Sequence, residues 1–244
     1  MKKTILMLSV VTLSIIMSCS KSKDEPTEET KTNCQHTETA YTYSGSNTSK
    51  TTFTYTYDAN GRITKFVEKE GTDTYTTNYT YAATEIKEIF EGQTTTYKLD
   101  ASNRIVSDEH FQYLYDANGY LVQRKHIGSN SIDTYSYTNG NLTKIEIGTT
   151  TYVVEYSAVE AKGSPMLTGP DIAIPYELTG VLKGYFGKAS RNLIAKITST
   201  GTYPSQSYTQ TFTHSIDAVD NVIKVVITES TGIIFTLDHK FECK

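Results

Sequence analysis

The residues of this chain with the most definite chemistry are its three cysteines, each in a different neighbourhood. Cys19 follows Ile16-Met17-Ser18, a branched aliphatic residue and then a small residue just before a thiol. A signal peptidase needs that small residue to close on the backbone. The cysteine thiol is then the nucleophile that takes a diacylglycerol. Lys2 and Lys3 upstream give a positive start, and the mostly apolar stretch of fourteen residues from Thr4 to Met17 suits a signal peptide and is short for a membrane span. The reading is a lipoprotein signal peptide over 1–18, lipidation on Cys19, and a lipid bilayer as partner through the acylated Cys19. The competing reading is an ordinary secretory signal with a chance cysteine. Cys34 and Cys243 lie near the two ends of the remaining chain, and an exported, oxidising setting favours a disulfide between them over two free thiols. A metal pair finds no histidines in ligand spacing.

Other chemistry is sparse. The histidines are His36, His110, His126, His214 and His239, and no two sit at i, i+2 or i, i+4. Asp108-Glu109-His110 is the densest titratable cluster and could hold a metal or act as a base; a polar hairpin end explains it as well. Ser164 and Ser190 lack a nucleophile-elbow context. Gly184-Tyr185-Phe186-Gly187-Lys188 has the wrong spacing for a phosphate loop. With 27 acidic residues, a glycosidase pair can be chosen almost anywhere, so none is argued. No cofactor or metal is implied. The Asp-Ala-Asn-Gly runs at Asp58, Asn60, Gly61 and at Asp116, Asn118, Gly119 invite a calcium reading, because calcium loops also space Asp and Asn before Gly. No bidentate Glu follows at the required distance, and a structural turn is the better account. Nineteen tyrosines against eight phenylalanines and no tryptophan suggest either a stacking surface for a glycan or simple strand packing.

These residues must be positioned by elements the sequence also announces. Ser20 to Thr32 holds no large apolar residue and reads as a disordered tether over 19–33. Residues 34–244 form a single β-domain, with hairpin repeats over about 38–157 and a C-terminal part over about 158–244. The repeat is clear. Tyr57-Asp58-Ala59-Asn60-Gly61, Leu99-Asp100-Ala101-Ser102-Asn103, Tyr115-Asp116-Ala117-Asn118-Gly119, Tyr137-Thr138-Asn139-Gly140 and Ile216-Asp217-Ala218-Val219-Asp220 each lead into a new apolar run. Tyr81 is a degenerate member, and the spacing averages about twenty residues, one hairpin. Phe53, Tyr55 and Tyr57 alternate with Thr52, Thr54 and Thr56, the period of a half-buried strand. The fold class is mainly β: an antiparallel meander of about fourteen to sixteen strands forming a large curved sheet or partial barrel. Pro165, Pro170 and Pro175 mark one short helical or irregular interruption near 159–190.

Two resemblances follow from these residues. The Tyr-Asp-Ala-Asn-Gly-Arg unit at 57–62 resembles the tyrosine-aspartate repeats of bacterial RHS proteins, which stack hairpins into a curved shell. The whole mature chain, with its hairpins followed by Gly184-Tyr185-Phe186-Gly187-Lys188 and Asn192-Leu193, looks like a bacteroidete lipoprotein family of unknown function described as porin-like. That resemblance implies a long sheet wound into a barrel or partial barrel. It carries over no catalytic residue and implies no pore: both faces of many strands carry Thr, Lys, Glu or Asn, which does not suit lipid-facing positions.

The function class follows by exclusion. Without Lys2 and Lys3, 21 basic residues face 27 acidic ones, a formal charge of −6 that argues against nucleic acid as a partner. The expectation is a non-catalytic lipoprotein of the outer membrane, displayed at the cell surface or else on the periplasmic face. It would bind a glycan or an envelope protein, or scaffold an assembly. A carrier enclosing an apolar ligand and a polymer-degrading hydrolase are the alternatives.

Overall fold

The computed structural model describes residues 34–161, 167, 174–201 and 207–243, all within one unit of the chain, Thr32–Lys244. Cys19, the signal peptide and the tether lie outside the described residues. Sixteen strands are described: β1 (Cys34–Ser44), β2 (Thr48–Tyr57), β3 (Ile63–Glu70), β4 (Asp73–Tyr81), β5 (Glu85–Phe90), β6 (Gln93–Leu99), β7 (Ile105–Ser107), β8 (Phe111–Tyr115), β9 (Leu121–His126), β10 (Ile132–Thr138), β11 (Asn141–Ile147), β12 (Thr150–Glu160), β13 (Asn192–Thr200), β14 (Tyr208–Ile216), β15 (Val222–Glu229) and β16 (Ile234–Cys243). Each pairs with its sequence neighbours, and β16 pairs antiparallel with β1, so the meander closes into a barrel. Closure removes both free edges, which an open sheet of this size would leave exposed.

Alternation decides which residues face inward. On β2, Phe53 and Tyr55 are buried; on β4, Tyr79; on β10, Tyr135; on β15, Val225 and Ile227; on β16, Phe235 and Leu237. The intervening positions carry Thr, Lys and Glu. Four opposite-charge pairs sit directly across neighbouring strands on the outer wall. Lys98 Nζ lies 2.6 Å from Glu85, Lys240 2.6 Å from Glu38, Lys196 3.0 Å from Glu155 and Lys224 3.5 Å from Asp238. Such exposed cross-strand pairs contribute only about 0.2–1 kcal/mol each, but they help fix register.

The barrel is filled from one end. Between β12 and β13 the chain turns into the interior, where Ile174, Val181, Leu182 and Phe186 are buried. This plug contains a single helical turn, α1 (Tyr176–Thr179), and a 3-10 turn at Lys183–Tyr185, within the interruption expected near 159–190. Pro175 starts α1, where its missing N–H costs nothing. The Phe186 ring meets Tyr113 edge-on at 5.0 Å, and Tyr185 stacks on Tyr81 at 5.9 Å. Gly187 has φ 85°, and a Cβ there would lie 2.4 Å from the Gly119 carbonyl oxygen. Only glycine allows the plug to run this close to the β8–β9 turn.

Candidate functional site

The repeated turns come first, because they set the rim of the barrel. In each of four, an aspartate N–H donates to the carbonyl four residues on: Asp58 to Arg62, Asp100 to Arg104, Asp116 to Tyr120 and Asp217 to Asn221. Its Oδ1 accepts the backbone N–H groups of the second and fourth following residues, in Asp58 from Asn60 and Arg62, both at 2.9 Å. The other three turns repeat this pattern. The residue in third place adopts positive φ: Gly61 75°, Asn103 58°, Gly119 88°, Asp220 68°. The Oδ2 of Asp58 and of Asp100 accepts from the following arginine, and that of Asp217 accepts from Asn221. Hydrogen bonds to Arg62 depress the Asp58 pKa, and those to the Tyr120 amide depress that of Asp116. The carboxylates are consumed by their own turns, which is the opposite of what a calcium loop needs.

The tyrosine that precedes the aspartate has its own task. Tyr81 Oη donates to the Ile63 carbonyl at 2.6 Å, Tyr115 to Ile105 at 2.5 Å and Tyr57 to His36 at 2.6 Å. In the first two, the acceptor is the first strand residue after the preceding turn. Each unit is therefore locked to its predecessor by a phenol, which phenylalanine could not supply. Arg62 and Arg104 also lie over the rings of Tyr81 and Tyr115, at 4.6 and 4.4 Å. The abundant tyrosines thus face inward. Among the described residues, only Tyr75 and Tyr176 are strongly exposed, so the outer wall has no aromatic platform for a sugar.

Inside the barrel, two polar clusters had no motif to announce them. The first is built on Arg124 of β9. Its Nε donates to Asp133 Oδ2 at 2.8 Å, and its Nη1 donates to Glu177 Oε1 at 2.5 Å. His126 Nε2 lies 3.2 Å from Asp133 Oδ2. Asp133 is fully buried, and Glu177 nearly so. Burial works against the Arg124 charge, but Glu177 foremost outweighs it and raises the guanidinium pKa. This network ties the plug to the wall. Two carboxylates gripped by one guanidinium do not make an acid/base pair, since neither is driven to hold a proton. Burial pushes up the carboxyl pKa values of Glu68 and Glu88 instead, and Glu88 accepts a hydrogen bond from Tyr97 Oη at 3.0 Å.

The second cluster sits at the closing seam. Cys34 and Cys243 are directly paired between β1 and β16 and joined by a disulfide. Just inside it, Thr39 Oγ1 lies 2.9 Å from His36 Nε2 and 3.0 Å from His239 Nδ1, and both imidazoles are buried. Burial lowers the His36 pKa to about 4; burial, with His36 next in weight, lowers that of His239 to about 3. Both are held neutral. A signal for this pair existed: once Cys34 is set against Cys243, His36 and His239 must fall within one turn of the ladder. Asp133 was also legible, because it shares the inward face with Tyr135 and Tyr137.

Asp108-Glu109-His110 lies at the β7–β8 turn. Asp108 accepts the His110 and Phe111 amides at 2.7 and 2.8 Å and the Tyr113 hydroxyl at 2.7 Å. It is a turn, with no metal-binding geometry. Among the described residues no group of three His, Cys, Asp or Glu could hold a metal.

No curated protein matches the chain. Among solved structures, it is similar to a porin-like protein from Bacteroides uniformis (TM-score 0.64, 18% identity, covering 85% of this chain and 98% of that one). A porin-like protein from Bacteroides vulgatus is also similar (TM-score 0.58, 12% identity, covering 86% and 99%). At these identities the likeness concerns the fold. Residues 30–158 match the model of the Teneurin YD-shell family, the stretch that carries most of the Asp turns and all three tyrosine locks, and the chain belongs to that family.

Proposed function

We propose that this protein is a non-catalytic envelope module, held to the outer membrane by lipid on Cys19 and displaying a rigid barrel that binds or scaffolds a partner. The observation that carries this reading is the disposition of polar and apolar groups. A barrel that spans a bilayer turns apolar side chains outward, and a lysine or arginine at mid-membrane depth on that face costs about 2–4 kcal/mol. Here the apolar side chains face inward, and lysine–carboxylate pairs line the outside. No helix among the described residues is long and apolar enough to cross a membrane. Membrane attachment then falls to the acyl chain. The interior carboxylates serve turns or the Arg124 network, which supports binding over hydrolysis.

Attachment is tested by growing the full-length protein with an alkynyl fatty acid. Label on the wild type, and its loss together with release from the membrane fraction in Cys19→Ala, is the expected result. Label retained by Cys19→Ala would overturn the anchor. Partner binding is tested by crosslinking the full-length protein in intact cells. Surface biotinylation separates the cell-surface placement from the periplasmic one.

A further inference from the structure

Between the plug and the wall formed by β10–β15 lies a partly enclosed cavity of about 100 Å³. One part of its lining is apolar, with Leu142, Leu178 and Leu193. The rest is rich in donors: Lys183, Lys188 and His214 reach it, and no aspartate or glutamate among the described residues lines it. Tyr137 also lines it, and its hydroxyl is buried with no hydrogen-bond partner among the described residues. Lys188 makes no ion pair there; its ammonium lies 5.6 Å from the centre of the Tyr120 ring. A buried hydroxyl without a partner is costly, and so is a desolvated ammonium.

We infer that this cavity is a binding site for a small monocarboxylate with a short aliphatic chain. The apolar side takes the chain, and the carboxylate receives the Tyr137 hydroxyl and the lysine ammonium groups. Size sets the class. A cavity of 150 Å³ holds benzene, so about 100 Å³ holds about four to six heavy atoms, the range from acetate to butyrate. Charge sets the sign, because an amine of the same length would meet two lysines. An alkane or alcohol would fill the space but leave the ammonium groups unpaired. Burial lowers the Lys183 pKa to about 8, which fits an ammonium that a buried anion would stabilise. This inference goes beyond the surface module proposed above and does not depend on it.

The test is calorimetric titration of the purified full-length chain with acetate, propionate, butyrate, octanoate, butylamine and 1-butanol. Propionate or butyrate is expected to bind saturably with Kd of about 1 mM or tighter. Octanoate is expected to fail on size, and butylamine and butanol to bind at least about tenfold more weakly. Lys183→Met should weaken butyrate at least about tenfold while the far-ultraviolet spectrum is retained. Leu193→Phe should block binding with every charge in place. If Lys183→Met does not fold, Tyr137→Phe and the butyrate–butylamine comparison carry the decision. The inference is overturned by no saturation up to about 20 mM butyrate, by equal affinity for butanol, or by unchanged affinity in both Lys183→Met and Tyr137→Phe.

Discussion

Acid should unfasten the barrel at its seam. His36 and His239 are buried and neutral beside Thr39, with pKa values held near 4 and 3 against an ordinary 6.5. The unfolded chain therefore binds protons that the folded chain refuses. The stability these residues contribute is complete above pH 6.5 and falls as pH drops toward 4. Between pH 7.5 and 4.5 each histidine costs about 2.5 kcal/mol, so the pair costs about 5 kcal/mol, a shift of more than about three orders of magnitude in the unfolding equilibrium. His214, whose pKa burial also lowers, acts in the same direction. The depressed aspartates, such as Asp100 and Asp217, lose their contributions only below their ordinary value of 3.8, outside this window. Urea unfolding of the disulfide-intact protein at pH 7.5, 6.0 and 4.5 measures the effect. Below about pH 5.5 the slope should approach about 2.7 kcal/mol per pH unit, the uptake of two protons. A double variant His36→Gln, His239→Gln should flatten it. Stability constant to within about 1 kcal/mol across the range, or the same slope in the double variant, would refute the reasoning.

Other expectations follow from single contacts. Tyr81→Phe removes the phenol that locks β4 to the Ile63 carbonyl and should cost about 1–2 kcal/mol in chemical denaturation, because a part-buried acceptor is left unpaired; an unchanged midpoint would remove the lock. Arg124→Met leaves Asp133 and Glu177 buried without their cation and should cost about 3–5 kcal/mol, read as a lower unfolding midpoint and faster proteolysis within 174–191. Reduction of Cys34–Cys243, which spans 209 residues, should cost about 5 kcal/mol in the chain-entropy model; hydrogen exchange should rise first in β1 and β16. Gly187→Ala forces a Cβ against the Gly119 carbonyl and should lower the melting temperature by several degrees, since a strained backbone costs about 1–3 kcal/mol.

Much of the wall was legible because strands write their exposure locally. Phe53, Tyr55 and Tyr57 alternate with threonines whatever the rest of the chain does, and Asp58 to Gly61 close a turn with bonds that reach four residues at most. An aspartate followed three places later by a residue that tolerates positive φ suffices to repeat that turn at 100, 116 and 217. The tyrosines were ambiguous at this level. Period two places them on one face, but whether that face looks into a core or onto a ligand depends on curvature, which no single hairpin contains.

What the sequence determined by itself is the set of short-range choices: strand, turn, the order of hairpins, and cysteines at the two ends of the domain. What only the tertiary structure decided is closure and everything inside it. The meeting of β1 with β16 brings His36 to His239 across 203 residues. The inward turn after β12 sets Glu177 on Arg124 across 53. Such contacts form only when long segments pay their entropy together, so no local pattern encodes them; they exist because a closed wall needs an interior, and the chain between β12 and β13 fills it.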